Sequence, residues 1–140
     1  MIATYGGQGD AGILAAISTY FRCLDAEDWA TMREIWHPDG EMRAVGARPR
    51  TGIDAITDLM EKLFVPWVEH RDQPGRILVA GQTATVEVTF RGTTETGAEV
   101  RFDAVDVIDF SDARIVRLTN WYDVDLARQA LAEAAGGATK

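Results

Sequence analysis

The sequence predicts an α+β fold in which helices cover one face of a curved antiparallel sheet and leave a pocket between the two layers. Three observations predict it. Up to Pro66 the apolar residues recur mainly at helical spacing, with one short alternating run among them. Beyond Arg76 the chain turns β-branched and alternating, with glycine-containing turns between the runs. The last long run, Glu99 to Asp123, reads as two strands joined by a tight turn at Ser111, Asp112 and Ala113.

The 140 residues suit a single domain spanning 1–140, with loose tails at about 1–9 and 135–140. A hydrophobic content of 46% and a charged content of 26% are ordinary for a soluble globular chain. A net charge of -8 argues against nucleic acid or an anionic membrane as partner, because both demand a basic patch. The single cysteine, Cys23, allows no internal disulfide and sits in an apolar helical pattern, which suggests packing. The start, MIATYGGQGD, lacks the features of a signal peptide, and no apolar stretch is long enough to span a bilayer, so a cytoplasmic location is expected.

Taken in order, Asp10 is placed to cap a first helix from Ala11, in which Ile13, Leu14, Ile17, Phe21 and Leu24 form the buried stripe. Tyr20 lies one heptad after Ile13, on or beside that stripe, and its hydroxyl needs a partner. A second helix from Glu27 to Trp36 puts Trp29, Met32 and Trp36 on one face and ends at His37-Pro38. There capping is the expected role of His37. A short strand, Glu41 to Val45, follows. Thr51 and Asp54 open a third helix in a capping-box-like arrangement, and it runs through Ile56, Leu59, Met60, Leu63 and Phe64 to Pro66. Strands are expected at Ile77 to Ala80 and Thr83 to Phe90, then the Glu99 pair, then an alanine-rich helix from Val124 to Ala135 that frays into GGATK.

Within the Glu99 strand, Phe102, Ala104, Asp106, Ile108 and Phe110 share one face by period-two alternation. Asp106 is thus an acid on an apolar face, which is costly unless the site uses it. The other face, with Arg101, Asp103, Val105, Val107 and Asp109, is mixed and is either solvated or packed on another subunit; a homodimer is expected.

The stretches YFRCLDAEDWATMREIWHPDGE, TGIDAI and VIDFSDARIVRLTNWYD resemble the nuclear-transport-factor-like α+β cone superfamily, within it the SnoaL-like polyketide cyclases, ketosteroid isomerases and limonene epoxide hydrolases. The resemblance spans roughly Gly12 to Leu131 and implies a cone-shaped half-barrel around a deep apolar cavity. It matches Tyr20 and Asp106 to the isomerases' oxyanion hole, while their catalytic base falls at Ala44. In the cyclases a histidine stands where Asp106 is, and their last-strand catalytic aspartate falls at Asn120. The epoxide hydrolase positions fall at Met42, Ala44, Thr85, Glu87 and Asn120, of which only Glu87 carries a carboxylate.

Burial should raise the Asp106 pKa and keep it a neutral donor, able with Tyr20 to hold charge developing on a carbonyl oxygen, while Asn120 adds an amide donor. That suits a cofactor-independent acid–base enzyme closing or isomerising a ring in a hydrophobic carbonyl compound, of the kind met in polyketide metabolism. The alternatives are a non-catalytic binding protein that keeps the cavity, and an epoxide-opening cyclase or hydrolase. The proton acceptor is the gap. Glu87 serves if it points inward, and is a solvated surface acid if outward. His70, in the polar VEHRD stretch, is the second candidate or is merely exposed. Trp36, Met42, Phe64, Trp67 and Trp121 line a cavity for a flat ligand or form plain core, with Ala44, Ala104 and Ile108 beside the site. Two separated histidines without a metalloprotease-type pair predict no metal, and no phosphate loop, dinucleotide fingerprint or nucleophile elbow suggests a cofactor.

Overall fold

The computed structural model describes residues 4–5 and 11–137. The Asp10 cap and most of the two expected tails lie outside the described residues. Seven strands form one sheet in the order β1-β4-β5-β6-β7-β2-β3, with helices packed on its concave side. The antiparallel meander is the expected one: β5 (Thr83–Thr94), β6 (Glu99–Ser111) and β7 (Arg114–Tyr122) pair in succession. Asp112 and Ala113, both at positive φ, turn β6 into β7, the twist that a two-residue hairpin loop requires.

The first helix, α1 (Ala11–Ala26), buries Ile13, Ile17, Tyr20, Phe21 and Leu24, together with Cys23. The second is shorter than its apolar spacing suggests. Asp28 caps α2 (Trp29–Glu34) by accepting a hydrogen bond from the Thr31 N–H at 3.1 Å, and the chain then leaves the helix at Ile35. Trp36 opens the early strand, β2 (Trp36–Ala44), instead of closing the helix. His37 therefore caps nothing; its Nδ1 accepts from the Asp39 N–H at 3.1 Å inside an irregular stretch of the β2–β7 pairing between Trp36 and Glu41. Pro38 is tolerated there because an irregular stretch needs no ladder N–H from it.

The capping box at Thr51 does not form. Thr51 is paired with Glu41 in β3 (Arg50–Thr51), Gly52 at φ 92 is the cap residue, and Asp54 reaches Arg33 at 2.7 Å instead. α3 (Ile53–Phe64) then runs as expected, burying Ile56, Met60 and Phe64.

The largest departure is β4 (Trp67–Ala80), fourteen residues where only the last four read as a strand. The polar stretch EHRDQPG pairs with β5 from Trp67↔Thr94 onward, with an irregularity between Pro74 and Ile77. Its charged residues alternate between a wet outer face and a half-buried inner face, so hydrophobicity conceals a real period of two. Thr4–Tyr5, expected in a loose tail, form β1 beside Ile77 and Leu78. α4 (Val124–Gly137) packs across β6. Among the described residues no helix is long and apolar enough to cross a membrane.

The β4–β5 end of the cone depends on one missing side chain. A Cβ at Gly92 would collide with the Trp67 ring. Gly92→Ala should displace Trp67 and cost about 1–3 kcal/mol, read as a lower Tm together with a changed tryptophan emission spectrum.

Candidate active site

A cavity of about 360 Å³ lies between the concave sheet face and the helices. Its wall is apolar: Leu24 from α1, Met60 and Phe64 from α3, and Val88, Phe90, Phe102 and Ala104 from the sheet. Into it project Tyr20, Asp72, Asp106 and Asn120, with Arg128 on α4 at its edge. Met42, Ala44 and Trp67 also line it, as expected from the sequence.

Asp106 and Asn120 face each other directly across the β6–β7 ladder. The Asn120 Nδ2 donates to Asp106 Oδ1 at 2.6 Å. Asp106 is 4% exposed, and burial pushes its pKa up to about 6, against the pull of the Asn120 amide toward the charged form. The direction is that expected of an acid on an apolar wall.

Asp72 was not anticipated. Residues 70, 72 and 74 alternate onto the half-buried face of β4, and this carries the Asp72 carboxyl into the same cavity. Its backbone N–H donates to Asp25 Oδ1 at 2.8 Å, while its own Oδ1 is buried without a hydrogen-bond partner. Burial, then the charge on Asp106, then that on Asp25, push the Asp72 pKa up to about 7. Among the described residues no cation offsets either acid. Burial, then the charges on Asp106 and Asp72, hold the Tyr20 hydroxyl well above its ordinary pKa, so it stays a neutral donor, and no hydrogen bond from it forms among the described residues.

Two candidates for the proton acceptor lie elsewhere. Glu87 points outward, because Val86 and Val88 take the buried face of β5, and it pairs with Arg76 on the outer surface at 2.9 Å. His70 is in β4 and not in a loop, and its side chain is 4% exposed. It lies behind the cavity wall, stacked on Phe64 at 3.9 Å, with Nε2 at 3.2 Å from Glu27 Oε2. Asp25, His70 and Asp72 bring metal-ligand atoms within 4.8 Å of one another, although Asp25 and His70 already have protein partners there.

Three other expected lining residues are misplaced. Trp36 and Ile108 are fully buried core, and Trp121 is 45% exposed on the outer face beneath the Arg43 guanidinium. Trp121 neighbours Asn120 on β7, so the alternation that turns Asn120 inward turns Trp121 out.

A profile of the SnoaL-like domain matches residues 17–118. The chain belongs to this family. No curated protein sequence matches it significantly. Among solved structures, a proposed SnoaL-like polyketide cyclase from Jannaschia sp. CCS1 superposes with a TM-score of 0.83 at 14% identity, covering 91% of this chain and 96% of that one. A proposed polyketide cyclase from Bacillus cereus gives 0.81 at 16% identity, covering 93% and 90%. An epoxide hydrolase of the limonene type from M. tuberculosis gives 0.76 at 20% identity, covering 89% and 92%. At these identities the likeness establishes the fold, the nuclear-transport-factor-like cone, and leaves the reaction to the residues.

The SnoaL-like cavity makes a pH prediction. Asp72 rises from 3.8 to about 7 in the folded protein, so it binds its proton more tightly folded than unfolded. Its contribution to stability is complete below about pH 4 and lost as pH rises through about 7. Asp72→Asn should leave Tm near that of the wild type at pH 4 and raise it at pH 8, by on the order of 3 kcal/mol of stability. Thermal melts of both proteins across that range check it.

Proposed function

We propose that the protein is a cofactor-independent acid–base enzyme that isomerises, or closes a ring in, a hydrophobic carbonyl compound bound in the cavity. One observation carries this reading: two buried carboxyl groups share an apolar cavity, no cation among the described residues pairs with either, and their surroundings differ. An amide donor holds Asp106, which favours its charged form, whereas Asp72 has an unpartnered oxygen and the neighbouring charge against it. Like charges in one low-dielectric space do not both ionise freely, so near neutral pH the pair keeps one proton. The asymmetry puts the charge on Asp106 and the proton on Asp72.

This division supplies the missing base. The Asp106 carboxylate removes a proton from the carbon beside the substrate carbonyl. The Tyr20 hydroxyl and the Asp72 acid donate to the carbonyl oxygen as negative charge moves onto it. In an isomerisation Asp106 returns the same proton to a different carbon; in a ring closure the enolate carbon attacks a second carbonyl of the same molecule, whose π bond opens to an alkoxide that takes the proton back from Asp106. Either sequence balances without a cofactor. Asp106 and Tyr20 thus keep the positions that the resemblance gives them, with Asp106 as base in place of donor and Asp72 taking the donor role. SnoaL-like relatives that are proposed polyketide cyclases support a substrate of polyketide type.

The test is deuterium exchange. In D₂O the protein should exchange protons beside the carbonyl in at least one member of a panel of fused-ring aromatic ketones, followed by NMR. Asp106→Asn should slow exchange about 10²- to 10⁴-fold, the usual worth of a positioned base, and Glu87→Gln should leave it unchanged. Tight binding of a ketone with no exchange would establish the alternative, a cavity that binds without catalysis. Ring opening of an epoxy-alcohol without ketone exchange would favour the epoxide reading, to which an acid paired with a base is also suited.

A further inference from the structure

The stripe of α4 that lines the cavity is Val124, Ala127, Arg128 and Leu131, at i, i+3, i+4 and i+7. Three of these are the apolar residues that a cavity-facing stripe calls for. Arg128 breaks the pattern, as Asp106 does on β6. It is the one basic side chain in the cavity lining described above, and among the described residues no carboxylate or hydrogen-bond acceptor holds it. α4 does carry other charged groups: Asp125 and Glu133 fall off the stripe, and Glu133 accepts from Gln129 instead.

The cavity is therefore polarised. Arg128 comes from α4, whereas Asp72 and Asp106 come from the sheet, on β4 and β6. Arg128 is exposed at the mouth, while Asp106 is deep in the wall. A long side chain packs its methylene stem against apolar surface and keeps its head at the water boundary. A planar guanidinium in that position is suited to an oxyanion, held in a forked pair of hydrogen bonds.

We propose that the ligand of this cavity is a hydrophobic organic anion, with its apolar body in the cavity and its oxyanion on Arg128 at the mouth. This rests on the reading that the cavity is a ligand site, and it adds the chemical class. An anionic group at the rim would also fix which end of the molecule enters first, so that the opposite end meets Tyr20, Asp72 and Asp106. The acids repel an anion offered the other way round, which makes the orientation a matter of charge at both ends.

A matched pair of fluorescent probes tests it: 8-anilinonaphthalene-1-sulfonate and the neutral N-phenyl-1-naphthylamine, which share an apolar body and differ in the sulfonate. Arg128→Gln should weaken the sulfonate probe about tenfold, the scale of one charge-assisted contact, and leave the neutral probe within about twofold. Arg128→Lys should restore most of the loss, and salt should narrow the difference between the probes. Unchanged sulfonate binding in Arg128→Gln, or an equal loss of both probes, would overturn the proposal. Failure of both probes to bind the folded wild-type protein would overturn it together with the ligand-site reading. Ketone exchange by the wild-type protein together with no preference for the sulfonate probe would overturn the anion proposal and leave the ligand-site reading standing, so the two fail separately.

Discussion

The hydrogen bond between Asn120 and Asp106 joins two neighbouring strands at the point where the sheet faces its cavity. Much of the site follows from it. A carboxyl group in that wall is expensive, and an amide donor from the next strand is what keeps its charged form within reach of neutral pH. A second acid, Asp72, lies two strands from Asp106 in the sheet, on β4, and reaches the same cavity.

The cost of this arrangement falls on the fold. Two acids with raised pKa values make the folded chain bind protons more tightly than the unfolded chain, and stability declines across the range in which the acids would do their chemistry. The apolar wall that raises them is the same wall that lines the cavity, so one set of side chains sets both. His70 shows the reverse case. A histidine stacked on Phe64 and bonded to Glu27 braces the back of the wall and is not among the cavity-lining residues.

Much of the fold was legible in local chemistry. Helical spacing in Ile13 to Leu24 and alternation in Thr83 to Phe90 and in Phe102 to Phe110 are strong signals, because one face of each element is buried and the other is wet. The early strand and α2 were harder. Trp36 has the spacing to extend the helix, and only its burial against β7 turns it into the first residue of a strand. Thr51 and Asp54 have the form of a capping box, but pairing of Thr51 in β3 removes the cap residue before the helix begins.

Of the site, the sequence by itself determined Asp106 and Tyr20, because an acid on an apolar strand face and a tyrosine beside a buried helical stripe are anomalies of pattern that any folded context must answer. Asn120 was marked by the family resemblance at the end of the same hairpin. Only the tertiary structure decided the rest. Asp72 is hidden in a stretch whose polar residues conceal a strand, and the charged groups that act on it come from α1 and β6, remote in sequence. Glu87 and Trp121 have the right chemistry on the wrong side, since a one-residue difference in register sends a side chain to the opposite face. Local pattern can show that a residue is out of place, but which groups share a cavity is settled by how the sheet curves and what packs against it.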